Sequence, residues 1–207
     1  MLFNMNGQEE DNTFENTILS FYIHNDWRGI LSIDINYYNI TNARRLMWAW
    51  PSEEELHFIG KLILEKKLNG VVSVGCGCGL FEWLLGQCTS LNVRGIEIND
   101  SWWNSKYSGT KFIPLLFPKL LPQTKLFNND EALLFCYFND EIAFQKYVAA
   151  YEGNLIFIVG PNKGTNIYAN PDPINPKFSS QDSWKMIDIK QFKNSINVVS
   201  AFERSTK

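Results

Sequence analysis

The chain has 207 residues, which is enough for one ordinary domain and too short for two domains with well-formed cores. Hydrophobic residues make up 45% and charged residues 20% of it, which is typical of globular proteins and excludes a disordered or fibrous chain. The formal net charge of -3 argues against a strongly basic nucleic-acid binder, and a local basic patch is the alternative that this composition leaves open.

Cysteine and histidine are scarce. The four cysteines and two histidines show neither the CxxC nor the HxxxH spacing that zinc sites use, so no metal site is expected. The sequence begins without a basic and apolar leader, and no uncharged apolar run reaches the roughly 18–20 residues that cross a bilayer. We therefore expect reduced thiols in a cytoplasmic or nuclear protein that does not contact membranes.

The N-terminal segment differs in composition from the rest of the chain. Its first twenty or so residues are rich in Asn, Asp and Glu. This composition predicts a poorly ordered N-terminal arm over residues 1–29, followed by a single domain over residues 30–207.

A well-specified helix is predicted directly after Pro51. Ser52 can accept hydrogen bonds from the free amides of the first turn, and Glu55 can complete a capping box. Apolar residues then recur at helical spacing until Asn69-Gly70, which is a typical helix stop.

A compact strand–helix–strand unit follows this helix. Residues 71–74 are mostly β-branched, residues 75–79 form a glycine cluster, and a helical pattern begins at Leu80. A second strand is predicted over residues 93–98. Parallel strands joined by a helix indicate an α/β layer fold.

The second half of the chain contains further apolar runs separated by turn residues. They predict strands over residues 112–116, 132–138, 155–160, 184–189 and 197–202. Asn139 or Asp140 can cap a helix after the second of these runs. Residues 161–182 are dense in Pro, Asn, Gly and Ser, which predicts a long surface loop. The last two runs have no helix between them, so they predict a hairpin at the edge of a mostly parallel sheet.

The glycine cluster is the feature that carries chemistry. Gly75, Gly77 and Gly79 let the backbone turn tightly and let a ligand approach amides that a side chain would cover. Glu97 ends the second strand, where a carboxylate accepts hydrogen bonds from ribose hydroxyls in doubly wound folds. Dinucleotide sites favour G-x-G-x-x-G, whereas Leu80 stands at the last glycine position here, so the spacing favours S-adenosylmethionine over NAD. A tight turn without a ligand is the alternative.

The sequence resembles a known family at these residues. Residues 72–79 look like motif I of the class I S-adenosylmethionine-dependent methyltransferases, and Glu97 falls on their acidic ribose-binding position. Residues 48–56, the glycine loop and residues 132–138 together resemble a poorly characterised methyltransferase-like group, which has an Ala-Trp-Ala-x-Pro stretch before the glycine loop. The resemblance spans about residues 46–160.

This resemblance implies a Rossmann-like, doubly wound, mostly parallel seven-stranded sheet that is closed by an antiparallel hairpin and binds S-adenosylmethionine at the carboxyl ends of its strands. The cofactor-binding residues it implies are Gly75, Cys76, Gly77, Gly79, Glu97, Cys136 and Tyr137. The substrate pocket is expected at Trp48, Trp50, Phe138 and Asn139. The two tryptophans are also placed to cover the cofactor, since aromatic faces attract its sulfonium cation. Packing of the two tryptophans against the sheet is the alternative.

Two departures from the family pattern leave two functional hypotheses open. Ser73 stands where most relatives have an acid, and Phe138-Asn139-Asp140 replaces a Pro-Pro-Tyr-like turn. The first hypothesis is a methyltransferase that acts on an unidentified acceptor. The second is a catalytically inactive methyltransferase-fold protein that serves as a protein-interaction module. A NAD-dependent oxidoreductase is disfavoured by the glycine spacing.

Overall fold

A computed structural model describes residues 6–35, 40–119, 126–164, 166–179, 184–193 and 195–205. The helices in these ranges are α1 (Asn6–Ile23), α2 (Trp27–Leu31), α3 (Ile40–Leu46), α4 (Glu53–Glu65), α5 (Leu80–Thr89), α6 (Asp100–Trp103) and α7 (Glu141–Ala150). The strands are β1 (Gly70–Val74), β2 (Asn92–Ile96), β3 (Leu115–Leu116), β4 (Glu131–Cys136), β5 (Leu155–Pro161), β6 (Trp184–Gln191) and β7 (Asn197–Arg204).

All seven strands form one sheet in the order β3-β2-β1-β4-β5-β7-β6. The first five strands pair in parallel, whereas β7 is antiparallel to both β5 and β6. The expected doubly wound, mostly parallel seven-stranded sheet with a closing hairpin is therefore confirmed. Among the helices that the structure describes, none is long and apolar enough to cross a membrane.

The sheet separates two apolar cores, because alternate residues of each strand point to opposite faces. Val71 packs into the core that contains α1, α4 and α5, and its neighbour Val72 packs into the core formed with α7. β4 and β5 are buried along nearly their whole length. This continuous burial explains why their sequences are unbroken apolar runs.

The predicted start of α4 is confirmed in detail. The Ser52 hydroxyl accepts a hydrogen bond from the amide of Glu54 at 3.2 Å, and Oε2 of Glu55 accepts one from the amide of Ser52 at 2.6 Å. These reciprocal bonds satisfy amides that have no partner within the helix.

Replacing the capping residue tests this arrangement. We expect Ser52→Ala to lower the free energy of unfolding by about 1 kcal/mol, because an amide of the first turn loses its acceptor. Urea unfolding of the variant and the native chain at one pH measures the difference. An unchanged midpoint would show that the capping box does not stabilise the fold.

From residue 6 onward the N-terminal segment differs from the poorly ordered arm expected over residues 1–29, and residues 1–5 of that arm lie outside the described residues. Within it the structure places α1 and α2, and Ile18 of α1 is completely buried in the first core. The Tyr22 ring packs edge-on against Trp83 at 5.0 Å and against Phe112 at 4.9 Å. Within this acidic sequence Phe14, Ile18 and Tyr22 recur at helical spacing. They form an apolar stripe by which α1 packs against the first core.

The predicted loop over residues 161–182 contains no helix or strand in the part that the structure describes after Pro161. One isolated bridge ties it to the core, between Asn170 and Asn139 just after β4. The backbone amide of Asn170 donates to the carbonyl of Phe138 at 3.0 Å. The loop is thus fastened beside the carboxyl ends of the strands.

Candidate functional site

The register of the sheet brings three predicted site residues to one edge. Val74 at the end of β1 is level with Ile96 of β2 and Phe135 of β4. β1 and β2 end at this point and β4 ends one residue later at Cys136, so Gly75 lies between Glu97 and Cys136. This edge is where ligands bind in open α/β sheets.

The turn from β1 to α5 needs its glycines for backbone geometry. Gly75, Gly77 and Gly79 all have positive φ angles of 68°, 61° and 78°, a region that other residues rarely adopt. A side chain at Gly75 would clash with the ring of Phe138, and one at Gly79 would clash with Ile113. A side chain at Gly77 would meet no atom of the described residues within 4 Å. Gly77 is therefore the glycine whose backbone faces open space.

Glu97 is hydrogen-bonded to the glycine turn. Its Oε1 accepts a bond from the amide of Gly77 at 2.7 Å, and Oε2 accepts one from the amide of Ile98 at 3.3 Å. Burial raises the pKa of this half-buried carboxyl, while the Gly77, Ile98 and Trp103 hydrogen bonds lower it. The two carboxylate oxygens offer about four lone pairs, so one remains beyond these three bonds and Glu97 can still accept a hydrogen bond from a ligand.

A cavity of ≈ 300 Å³, called here the Glu97 cavity, opens beside this carboxylate. Its lining includes Gly75, Glu97, Ile98, Phe138, Ile142 and Tyr147. Ile98 and Ile142 are large apolar side chains that are nevertheless strongly exposed. A carboxylate beside exposed apolar side chains suits a ligand with a flat apolar part and hydroxyl groups.

Tyr137 and Phe138 follow β4 and pack on opposite faces of the sheet. Phe138 lines the Glu97 cavity, whereas Tyr137 lines a second cavity of ≈ 490 Å³ on the other side, called here the Trp48 cavity. The Tyr137 ring stacks on Trp48 with a centroid distance of 5.5 Å. Its hydroxyl donates to Oδ1 of Asn197 at 2.5 Å, which fixes the ring. The two cavities thus lie on either side of a two-residue segment.

The Trp48 cavity combines aromatic walls with cationic groups. Trp50 lines it, and the buried indole N–H of this residue has no hydrogen-bond partner among the residues that the structure describes. Arg44 and Lys193 also line it, and the Arg44 guanidinium lies 5.4 Å from the centre of the Trp48 ring. Such a lining suits a ligand that has an apolar body and accepts hydrogen bonds.

Six of the eleven predicted site residues line these two cavities, and Cys76, Gly77, Gly79 and Cys136 line neither. The Glu97 cavity contains Gly75, Glu97 and Phe138, and the Trp48 cavity contains Trp48, Trp50 and Tyr137. Asn139 lines neither of the two and instead forms the backbone bridge to Asn170. Cys76 packs against Gly95, and Cys136 packs against the first core.

The cysteines at this edge are not activated nucleophiles. Burial raises the pKa of the Cys76 thiol far above its ordinary value, and it raises the pKa of Cys78 to about 12. The Cys78 thiol donates to the carbonyl of Leu46 at 3.1 Å. These thiols remain protonated at neutral pH and act as small packing groups.

Glu82 is a buried acid that the sequence interpretation overlooked. Its Oε1 accepts a hydrogen bond from the Ser73 hydroxyl at 2.7 Å, while Oε2 is buried without a partner among the described residues. Burial is the main cause that raises the pKa of Glu82 to about 7. A single acid within the apolar run 80–85 was the available signal.

Comparisons with known proteins give likenesses of structure only. No family model and no curated protein matches the chain. A similar solved structure is the methyltransferase domain of bacterial CtHen1, with 15% identity, a TM-score of 0.47 and coverage of 73% of this chain and 98% of that one. Magnesium protoporphyrin IX methyltransferase from Synechocystis has 11% identity, a TM-score of 0.48 and coverage of 92% and 100%. The 16S rRNA methylase ArmA has 11% identity, a TM-score of 0.44 and coverage of 92% and 98%.

Proposed function

We propose that the chain binds S-adenosylmethionine at the carboxyl ends of β1, β2 and β4 and transfers its methyl group to an acceptor in the Trp48 cavity. The observation that carries this proposal is the position of Glu97, which is bonded to the Gly77 amide and lines a cavity with exposed apolar side chains. The strand number and closing hairpin agree with the methyltransferase resemblance of the sequence.

The residues of the Glu97 cavity fit the nucleoside part of this cofactor. The remaining lone pair of Glu97 would accept a hydrogen bond from a ribose hydroxyl. Phe138, Ile98 and Ile142 would provide apolar contacts for the adenine. The open backbone at Gly77 would allow close approach of the methionine part of the cofactor.

Bound S-adenosylmethionine supplies a methyl group activated by its attachment to a cationic sulfur. The protein then has to position an acceptor and exclude water, because in-line displacement depends mainly on geometry. Tyr137 is suited to positioning, since its ring is held between Trp48 and Asn197. Burial raises the pKa of Tyr137 to about 12, so its hydroxyl stays neutral and does not act as a base at neutral pH.

Isothermal titration calorimetry with S-adenosylmethionine and S-adenosylhomocysteine tests the binding step. We expect saturable heat for both at concentrations below about 1 mM. Absence of heat with both ligands at millimolar concentration would overturn the proposed function. Stable capture of a protein partner under those conditions would then favour the interaction-module hypothesis.

A further inference from the structure

A buried acid is attached to the turn around which the proposed cofactor site is built. We propose that the carboxylate of Glu82 acts on the cofactor through its charge, without contact. It makes the chain prefer S-adenosylmethionine, whose sulfur is cationic, to S-adenosylhomocysteine, whose sulfur is neutral. This inference rests on the proposed function and adds to it a specificity-determining residue.

Glu82 joins the two elements on either side of the glycine turn. Ser73 of β1 lies two residues before Gly75, and Glu82 is the third residue of α5, which begins directly after Gly79. The Ser73 hydroxyl donates to Oε1 of Glu82 at 2.7 Å, so the carboxyl is held where the chain enters and leaves the turn. Because the backbone at Gly77 faces open space, a ligand that approaches the turn comes near this carboxyl.

The carboxyl group lacks a partner for its second oxygen. Glu82 is 1% exposed, and its Oε2 has no hydrogen-bond partner among the residues that the structure describes. Within the same part of the chain, no Lys, Arg or His forms an ion pair with it. A buried carboxylate without a compensating cation is costly, and its charge acts strongly because the surroundings are weakly polar. The site therefore favours a ligand that brings a positive charge.

The electrostatic effect of Glu82 extends to the strand ends that form the candidate site. After burial, the charge of Glu82 is the next largest cause that raises the pKa of Cys76 in the turn and of Cys136 at the end of β4. The charge of Glu97 after β2 in turn adds to the effect of burial on the pKa of Glu82. Glu15 of α1 places a further negative charge near the turn. These groups are all acidic, which adds to the attraction for a cation.

The proton of Glu82 responds to such a cation near neutral pH. Burial raises the pKa of Glu82 to about 7, so the free chain holds this carboxyl partly protonated. A positive charge near the turn favours the ionised form and lowers the pKa, so binding of S-adenosylmethionine releases a proton. When the methyl group leaves, sulfur keeps the electron pair of the broken bond and becomes neutral. The product is then held less tightly than the cofactor that replaces it.

The ratio of two affinities tests this inference without an activity measurement. Calorimetric titrations with S-adenosylmethionine and S-adenosylhomocysteine are run at about pH 5.5 and about pH 7.5, since Glu82 ionises across this range. We expect the preference of the native chain for S-adenosylmethionine to rise about fivefold between these two values. The proposed partner of Glu97 is the ribose, which both ligands share, so titration of Glu97 affects the two affinities alike.

Three variants assign the effect to Glu82. Glu82→Gln has nearly the shape of the protonated acid and cannot ionise, so its preference should not vary with pH and should fall about fivefold below the native value at about pH 7.5. Ser73→Ala removes the hydrogen bond that lowers the pKa of Glu82, so the rise in preference should move to higher pH. Glu55→Gln removes another buried carboxylate, on α4, that lines neither cavity, and it should retain the native pH dependence. Titration of the ligands themselves is the same for every variant.

The number of protons released on binding provides a second measurement. Titrations at about pH 6.5 are repeated in two buffers with different heats of ionisation, and the difference in observed heat gives the number of protons released. We expect the native chain to release about half a proton with S-adenosylmethionine and clearly less with S-adenosylhomocysteine. Glu82→Gln should release the same small amount with both ligands.

The outcomes separate this inference from the proposed function. A preference for S-adenosylmethionine that does not change with pH in the native chain, or that Glu82→Gln retains in full at about pH 7.5, would overturn the role of Glu82 while leaving cofactor binding intact. Failure of both ligands to bind would instead overturn the proposed function, and this inference with it.

Discussion

Glu97→Gln is expected to weaken the binding of S-adenosylhomocysteine by about 100-fold, because each hydrogen bond to a charged group contributes roughly 1.5–3 kcal/mol. The substitution removes the charge that strengthens the bond with the ribose hydroxyl. The amides of Gly77 and Ile98 both donate to the native carboxylate. In the variant one of them faces the amide NH₂ group, which is itself a donor, so that hydrogen bond is lost. Calorimetric titration of the variant measures the loss.

The ribose itself provides the control for this result. The native chain should bind adenosine more tightly than 2′-deoxyadenosine, and Glu97→Gln should reduce that difference, since the hydroxyl then meets a neutral group. Glu152→Gln makes the same change at an exposed position that lines neither cavity and should alter neither affinity. A variant of Glu97 that keeps both the native affinity and the native preference for adenosine would show that this carboxylate does not hold the ribose.

The parts of the fold that were predicted correctly depend on local sequence. The capping box at Ser52 lies within four residues, and the buried strands are continuous apolar runs. A few consecutive residues are therefore enough to predict each of these features. Helix α1 was missed although its apolar stripe is also local, because the Asn-rich and acidic composition outweighed three apolar positions. Because Ile18 is buried, the helical spacing of the apolar residues predicts this segment better than its overall composition does.

The division of the site into two cavities depends on contacts between residues that are far apart in sequence, which no local pattern predicts. Tyr137 is fixed by Asn197, which is far away in sequence, and by Trp48, which precedes the glycine turn. The sequence predicted Tyr137 as a cofactor-binding residue and Phe138 as part of the substrate pocket. Tyr137 lies instead with Trp48 in the Trp48 cavity. The structure instead places Phe138 over Gly75 in the Glu97 cavity, because consecutive residues after β4 pack on opposite faces.

Glu82 is expected to make the stability of the protein fall as the pH rises from about 4.5 to about 7. The folded state keeps its carboxyl protonated up to a pKa of about 7, whereas the unfolded chain releases the proton near 4.5. The folded state thus binds more protons between these values, so the contribution of Glu82 is complete below pH 4.5 and lost above pH 7. The difference amounts to about 3 kcal/mol at 1.36 kcal/mol per pKa unit.

Glu82→Gln isolates this contribution, because the amide has nearly the shape of the protonated acid and does not titrate. The urea midpoints of the variant and the native chain are compared at several pH values between 4.5 and 8. Other titrating groups affect both proteins alike, so the stability of the variant relative to the native chain should rise with pH across this window. Ser73→Ala removes the hydroxyl whose hydrogen bond lowers the pKa of Glu82, and it should move the same transition to higher pH. A relative stability that is constant with pH would mean that Glu82 has the same pKa in the folded and unfolded states. Its burial would then not make the stability of the protein depend on pH.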